Sequence, residues 1–270
     1  LKNAIKGCYD ALQSDAYDGR MLIVLNELGS DNAYNGGTII EYDQFNKNNV
    51  QEENVYLEYM WAAPYIAINR CNTTIFYANS LSELSEDSRN EYIAELKFLR
   101  ALSYFNLTRL FGEVPLKLDA TFNKENLIIP LSSQQDIFNQ ILLDLDYANN
   151  KIKNTDVSFA TDLAVKSLLA KVHLELKNYN LAINYCDTIL SSNKSLMENY
   201  AELFLNEENI ESIFELSFTE LLTDKNRLAE YCFPTSAGGR YEIAPENELI
   251  NSYSSVDLRR ELFVGEQPYC

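Results

Sequence analysis

One stretch near the middle of the chain, residues 88–118, constrains the fold more than any other. Its apolar side chains recur at three- and four-residue steps, which places them on one face of an α-helix. They are Ile93, Leu96, Leu99, Leu102 and Phe105. Ser88 and Glu91 have the spacing of a capping box at the start of a helix. Gly112 ends it, and Pro115, three residues beyond, cannot continue it. The pattern predicts one long amphipathic helix over 88–111.

Two arginines of this helix are expected to be structural. Arg100 and Arg109 lie nine residues apart and so do not share a face. Each is expected to have its own carboxylate or backbone partner. A buried partner of Arg100 would make this side chain important for stability.

Other segments also carry helical periodicity. Residues 3–14 indicate a short helix, and residues 51–80 a long one that Pro64 is expected to kink or split because proline lacks a backbone donor. A second capping box, Ser132 with Gln135, begins a further helix.

Residues 161–192 have the spacing of a tetratricopeptide helical hairpin. Ala170 and Ala182 stand where that repeat needs small residues for close helix packing. His173 occupies the aromatic position and Tyr179 follows the turn. Because one hairpin cannot bury its own apolar face, neighbouring helix pairs are expected to stack on it.

The pattern changes after residue 200. Residues 212–218, SIFELSF, alternate as in a β-strand, residues 219–245 are loop-like, and residues 246–253 indicate a short helix. We therefore predict a mainly α fold of tetratricopeptide-like helix pairs with loop-rich and short-strand insertions. The helical scaffold is expected over about 51–192 and the loop and strand region over about 200–270.

Charge argues against several classes of partner. The net charge is −18, and nucleic-acid backbones attract lysine and arginine rather than acidic chains. Anionic lipid surfaces are disfavoured for the same reason. The sequence also has no apolar run of about 20 residues, the length that spans a bilayer.

Five cysteines are spread along the chain and never form a CxxC motif. With a single histidine beside them, they do not have the clustering of a zinc site. Cys8, Cys71 and Cys186 lie in helical patterns and are expected to pack as small hydrophobic residues. Cys232 and Cys270 lie outside those patterns, and an odd number of cysteines cannot all pair internally.

The residue string AELKFLRALSYFNLTRLFGEVPL, residues 94–116, closely resembles the signature helix of the SusD/RagB family. Those proteins are nutrient-binding lipoproteins on the outer-membrane surface of Bacteroidetes-type bacteria. The segments NAIKGCYDALQS, WAAPYIAINRCNTTI, SLLAKVHLELKNYNLAINYCDTIL, SIFELSF and PENELINSYSSVDLRRELF also resemble parts of the family. The resemblance thus extends over most of the chain.

The resemblance implies a single SusD-like domain over 1–270. Family members begin with a lipidated cysteine and continue beyond the position of Cys270. We therefore expect this chain to lack the N-terminal lipidated cysteine and the C-terminal part of the family, as a fragment or a short member.

Catalytic constellations are missing from the sequence. A Ser-His-Asp set would have to use His173, the only histidine, which stands at a core position of the predicted hairpin. Asp144 and Asp146 are two residues apart on a helix and point in different directions. Asp31, Asn32 and a nearby asparagine offer oxygen ligands without the spacing of an EF-hand loop. We predict a protein without catalytic residues, cofactor or metal.

Binding residues are expected in two polar loops that carry aromatic side chains and glycines, 31–37 and 231–241. Aromatic rings pack against sugar C–H groups, and amide or guanidinium groups satisfy hydroxyls. Trp61, the single tryptophan, is expected in the core instead. The predicted ligand-binding residues are Asn32, Tyr34, Asn35, Tyr231, Phe233, Arg240 and Tyr241.

The resemblance implies a surface protein that binds a nutrient oligosaccharide and delivers it to a SusC-type TonB-dependent transporter. It is expected at the outer membrane, held only by an N-terminal lipid anchor that this chain does not contain. Two alternatives stay open. The same fold binds peptides in the RagB branch, or the chain is an intracellular tetratricopeptide-like adaptor for a protein partner.

Overall fold

The computed structural model describes residues 1–122, 128–218 and 226–263. The chain divides into two compact units. The first unit comprises residues 1–12, 64–196 and 208–217, and the second comprises residues 13–63, 197–207 and 218–270. The expectation of a single domain stays a prediction.

Helices dominate the described residues, as predicted, and the strands are only two residues long. The helices are α1 (Lys2–Leu12), α2 (Met21–Leu28), α3 (Ile40–Asn46), α4 (Val55–Ser80), α5 (Glu86–Phe111), α6 (Gln134–Lys151), α7 (Asp162–Glu175), α8 (Tyr179–Leu190), α9 (Glu202–Leu205), α10 (Leu228–Cys232), α11 (Asn247–Ser252) and α12 (Leu258–Phe263). The strands are β1 (Ala33–Tyr34), β2 (Val114–Pro115), β3 (Leu131–Ser132) and β4 (Ala244–Pro245). They form two antiparallel pairs, β1 with β4 and β2 with β3.

Helix α5 is the central element of the first unit. Apolar residues are buried on several of its sides, including Phe98 and Tyr104 outside the predicted stripe. The helix begins earlier than predicted, because Ser85 is its N-cap and accepts a hydrogen bond from the Ser88 amide at 3.2 Å. Two acidic residues follow Ser85 directly and favour a helix start there through the helix dipole.

The second predicted cap is displaced by one residue. Ser133, not Ser132, accepts a hydrogen bond from the Asp136 amide, at 3.1 Å. Ser132 lies instead in β3, where it pairs with Val114 of β2. The strand pairing takes Ser132 out of the helix, and the next serine caps α6.

Helix α4 continues through Pro64 as one helix, so the proline does not split it. Trp61, one turn before the proline, is half-buried rather than part of the fully buried core. The boundary between the two units falls at Pro64.

The predicted helical hairpin is confirmed as α7 and α8. Ala170 and Ala182 are both buried, as close helix packing requires. His173 is buried and stacks on Tyr185, with ring centroids 5.7 Å apart and planes 7° from parallel. Burial lowers the pKa of His173, which suits a neutral packed imidazole.

The prediction of a strand over 212–218 is wrong. This segment forms no ladder within the described residues, and the Glu215 amide donates to the Val157 carbonyl at 2.8 Å. Phe214 packs edge-on against Phe98, with centroids 5.4 Å apart, and lies 6.4 Å from the Tyr9 ring. The alternation in sequence therefore reflects an extended segment anchored on helices, not a sheet.

Other predictions need smaller corrections. Cys8 and Cys71 are buried as expected, but Cys186 is exposed on α8 and does not pack as a core residue. Residues 219–225 of the predicted loop and Cys270 lie outside the described residues.

A buried ion pair joins α5 to α6. Arg100 donates from Nε and Nη2 to the two carboxylate oxygens of Asp144, at 2.8 Å each. It also donates from Nη1 to Asn72 Oδ1 of α4 at 2.7 Å. Lys97 Nζ lies 2.9 Å from Asp144 Oδ1. The structural role predicted for Arg100 is confirmed, and Arg109 pairs with Glu175 at 2.7 Å on the surface.

Candidate functional site

The two predicted binding loops meet within the second unit. Strands β1 and β4 pair Ala33 with Pro245 and Tyr34 with Ala244. Beside this pair, the Asn32 carbonyl accepts a hydrogen bond from the Glu246 amide at 2.9 Å. The loop that precedes α3 is thus brought against a segment more than 200 residues later.

Glu242 holds this junction together from a buried position. Its Oε2 accepts from the amides of Thr38 and Ile39, at 2.8 and 3.3 Å, just before α3 begins. Its Oε1 accepts from Arg240 Nη2 at 3.0 Å. A β-carbon on Gly37 would lie 2.1 Å from Glu242 Oε2, so only glycine permits this close approach.

Replacing Glu242 by alanine is expected to lower the free energy of unfolding by about 2 kcal/mol, because two backbone donors and one guanidinium lose a shared acceptor. Urea denaturation of the variant measures this loss. The matched control is Glu248→Ala, an exposed carboxylate in the same unit, which is expected to change stability by less than about 0.5 kcal/mol. Equal stability of the two variants would contradict the role assigned to Glu242.

A cavity of about 420 Å³ opens beside this junction, between α10 and the segment that follows it. Its polar and aromatic lining includes Asn226, Glu230, Phe233, Gly238, Gly239 and Arg240. Phe233 as a residue is 54% exposed. The chain closes the wall through hydrogen bonds from the Gly239 amide to the Pro234 carbonyl at 3.0 Å and from the Tyr241 amide to the Phe233 carbonyl at 2.9 Å.

Gly239 in the cavity wall lies so close to the Phe233 backbone that no larger residue fits in its place. A β-carbon on Gly239 would lie 2.0 Å from the Phe233 carbonyl oxygen, well inside van der Waals contact. The same contact orients the Phe233 backbone and with it the ring at the cavity.

Tyr231 is not one of the residues that line the cavity; its ring contacts the arginines around the site. The side chain is buried, and three guanidinium carbons lie near its ring centroid: Arg20 at 3.7 Å, Arg240 at 4.7 Å and Arg227 at 5.3 Å. Such contacts between cations and a ring face stabilise both partners. Since arginines surround the ring, Tyr231 positions them and offers little surface to a ligand.

Two of these arginines are fixed by carboxylates. Arg20 is buried, donates from Nε and Nη2 to both oxygens of Asp15 at 2.7 and 2.5 Å, and donates from Nη1 to the Tyr42 hydroxyl at 2.6 Å. Arg227 makes a bidentate pair with Glu230 at 2.8 and 2.7 Å. The carboxylate of Glu230 at the cavity is therefore held in place.

Arg240 is the more accessible guanidinium, with 42% of its side chain exposed. Besides its bond to Glu242, it donates from Nη1 to the Tyr231 hydroxyl at 3.2 Å. A guanidinium has five N–H groups in a planar fork, so these two contacts orient the fork and leave donors for a bound molecule.

The structure places the other predicted residues around the junction rather than at the cavity. Asn35 donates from Nδ2 to the Ile39 carbonyl at 3.0 Å and to Asp43 Oδ1 at 2.8 Å, and this hydrogen bond lowers the pKa of Asp43. Asn32 is exposed and donates to Glu27 Oε2 at 3.0 Å. Tyr34 is half-buried, and Tyr241 packs against Gly36 with a left-handed φ of 54°.

Two carboxylates of the site, Glu230 and Glu242, escaped the sequence analysis. Glu230 stands three residues after Arg227, a spacing that brings side chains together on one helix face. Glu242 stands two residues after Arg240, which puts both on the same side of an extended segment. Both signals were present, but among 40 acidic residues neither stood out.

Comparison with known proteins gives one family. Residues 24–171 match the SusD-like family model described as starch-binding and associating with the outer membrane. A SusD-like protein of Bacteroides ovatus is 30% identical over 72% of this chain and 39% of its own length. A SusD-like protein of Formosa agariphila is 26% identical over 82% of this chain and 45% of its own length. The chain therefore spans less than half the length of these curated relatives.

Solved structures share the fold. A SusD superfamily protein from Bacteroides vulgatus superposes with a TM-score of 0.83 at 25% identity, over 93% of this chain and 56% of that one. A laminarin-binding SusD-like protein gives 0.73 at 23% identity, over 81% and 50%. A structure with a xylogluco-oligosaccharide gives 0.78 at 24% identity, over 93% and 55%.

Proposed function

The chain belongs to the SusD-like family of starch-binding proteins that associate with the outer membrane, and on that basis we propose that it binds a nutrient oligosaccharide at the cell surface. The observation that carries the proposal is the cavity bordered by Phe233, Glu230 and Arg240. It combines one exposed ring with a carboxylate and a guanidinium, the groups that sugar recognition requires.

In this proposal a sugar ring packs its C–H face on Phe233. Arg240 donates to one hydroxyl while Glu230 accepts from a neighbouring one. A longer ligand extends onto Asn32, Tyr34 and Tyr241. Tyr231 and Asn35 act as supports, since the first is surrounded by arginines and the second is bonded to α3.

Binding without chemistry is the activity we propose, and the family match supports it over enzyme activity. The match also favours an outer-membrane protein over an intracellular tetratricopeptide-like adaptor. The peptide alternative uses the same cavity, since a carboxylate and a guanidinium also bind peptide groups. A laminarin-binding protein and a structure with a xylogluco-oligosaccharide, both of related fold, make an oligosaccharide the first choice.

Delivery is the second half of the proposal. We propose that the protein hands its ligand to a SusC-type TonB-dependent transporter and is held at the membrane by an N-terminal lipid. None of the helices in the described residues has the length and hydropathy needed to cross a bilayer. A pull-down of the transporter from outer membranes with the lipidated full-length protein tests the partnership.

Replacing Phe233 by alanine is expected to weaken oligosaccharide binding by roughly 1–3 kcal/mol, the value of one buried aromatic side chain. Isothermal calorimetry with laminari-, xylogluco- and malto-oligosaccharides, and with a peptide mixture, selects the ligand class and then measures this loss. The control is Phe204→Ala, which removes a phenylalanine that is 58% exposed elsewhere in the same unit.

The two variants separate the proposal from its alternatives. Loss of sugar binding in the Phe233 variant, with the control unaffected, supports the site. Parental affinity in both variants would exclude this cavity as the binding site, and binding of peptides alone would establish the peptide alternative.

A further inference from the structure

Helices α1 and α4 touch at a point where each carries a cysteine. Arg70 of α4 donates from Nη1 to the Gly7 carbonyl and to Asp10 Oδ2, the latter at 2.6 Å. The Cys8 sulfur of α1 lies 3.7 Å from the Thr74 hydroxyl of α4. These contacts fix one turn of α1 against one turn of α4.

The same contacts place the two thiols side by side. Cys8 follows Gly7 and Cys71 follows Arg70, so each cysteine is the next residue after a contacting one. Thr74, which touches Cys8, is three residues after Cys71 and thus on the same face of α4. Both cysteines are completely buried, so solvent does not separate them.

The thiols also interact directly. A hydrogen bond from the Cys71 thiol lowers the pKa of Cys8, and Arg70 lowers it further, while burial opposes both. The hydrogen bond to Cys8 and burial raise the pKa of Cys71. Cys8 therefore has the greater thiolate character, which is the form that attacks a disulfide.

We propose that Cys8 and Cys71 are oxidised to a disulfide that joins α1 to α4. The oxidant is a disulfide, either of a thiol oxidoreductase or of a small molecule. Because both thiols are buried in the folded chain, the exchange takes place during folding, while they are still accessible. The Cys8 thiolate attacks one oxidant sulfur and expels the other as a thiolate. The Cys71 thiolate then attacks Cys8 Sγ and expels the oxidant sulfur that was bonded to it as a second thiolate. In total the two protein thiols lose two electrons and two protons, and the oxidant disulfide takes up these electrons and protons to become two thiols.

The proposed disulfide would enclose the chain segment that carries part of the candidate site. Residues 13–63, which carry Asn32 and Tyr34, lie between the two cysteines and belong to the second unit. A bond between residues 8 and 71 closes this whole segment into a loop. Closing a long loop restricts the unfolded chain and so raises stability.

Two other described cysteines fit such a bond less well. Cys186 is exposed on α8, and Cys232 lies in the second unit, where burial raises its pKa to about 11. Bond formation in the cell rests on the proposed function, because export brings the chain into an oxidising compartment. Bond formation in a redox buffer does not depend on it, so the two failures are distinguishable.

The test is refolding of the full chain with oxidised and reduced glutathione, followed by alkylation of free thiols under denaturing conditions and peptide mapping by mass spectrometry. The reduced chain has five thiols, and the oxidised chain is expected to have two fewer, with the peptides of Cys8 and Cys71 linked. The apparent Tm of the oxidised parent is expected to lie roughly 5–10 °C above that of the reduced parent.

Controls keep the result independent of any single variant. Cys186→Ala is expected to retain both the linked peptides and the Tm difference, whereas Cys71→Ala loses both. The parent by itself decides the case if Cys71→Ala fails to fold. Five free thiols after oxidative refolding, or a link from Cys8 or Cys71 to another cysteine, would overturn the proposal.

Discussion

Replacing Asp144 by alanine is expected to lower the free energy of unfolding by about 3–5 kcal/mol. The carboxylate is fully buried between α5 and α6. It accepts two hydrogen bonds from Arg100 at 2.8 Å, one from Lys97 at 2.9 Å and one from Gln140 at 3.1 Å. Its removal leaves the buried Arg100 guanidinium without a counter-charge, and an uncompensated buried charge is costly.

Urea denaturation measures this loss, and Asp146→Ala is the matched control. Asp146 lies two residues away on the same helix but is exposed, so its removal is expected to change stability by less than about 0.5 kcal/mol. A double variant, Arg100→Met with Asp144→Leu, is expected to recover much of the loss, since an apolar pair removes both charges together. A loss below about 1 kcal/mol in Asp144→Ala would show that the ion pair is not a main support of the helical core.

Replacing Asp18 by asparagine is expected to stabilise the protein at pH 8 and to have little effect near pH 4. One carboxylate oxygen of Asp18 is buried and has no hydrogen-bond partner among the described residues. Burial raises the pKa of Asp18 from 3.8 to about 7. Between pH 3.8 and about 7, the Asp18 carboxyl group is therefore protonated in the folded protein but ionised in the unfolded chain.

The direction of the pH dependence is set by the raised pKa. Below pH 3.8 both states are protonated and the carboxyl group costs nothing, whereas between pH 3.8 and about 7 the folded state progressively loses stability as the unfolded chain ionises. A separation of about three pKa units corresponds to roughly 4 kcal/mol.

Denaturation of the parent and of Asp18→Asn at pH 4, 6 and 8 measures the difference in unfolding free energy. That difference is expected to grow by about 4 kcal/mol across this range. The control is Asp31→Asn, an exposed carboxylate of the same unit, whose difference from the parent should stay nearly constant. A pH-independent difference for Asp18→Asn would contradict the buried, protonated state.

Local patterns in the sequence predicted the long helices α4, α5 and α6 and the α7–α8 hairpin, but not the shorter helices α2 and α3. Apolar periodicity predicted α5, and the small residues Ala170 and Ala182 predicted the α7–α8 hairpin, because each depends on spacings of a few residues. The residue string over 94–116 also carried the family, which the match over 24–171 shows. The N-caps were predicted less well, because neighbouring serines compete for the position. The acidic residues after Ser85 favour it over Ser88, and the β2–β3 pairing takes Ser132 and leaves Ser133 as the cap of α6.

The tertiary structure alone decided how the candidate site is assembled. Glu242 accepts from the Thr38 amide across 204 residues, and no local pattern encodes a pairing at that distance. Tyr231 and Phe233 look alike in sequence, yet arginines surround the first and the second faces the cavity. Which aromatic ring is available to a ligand is set by packing from distant segments, because burial depends on what the rest of the chain brings against it.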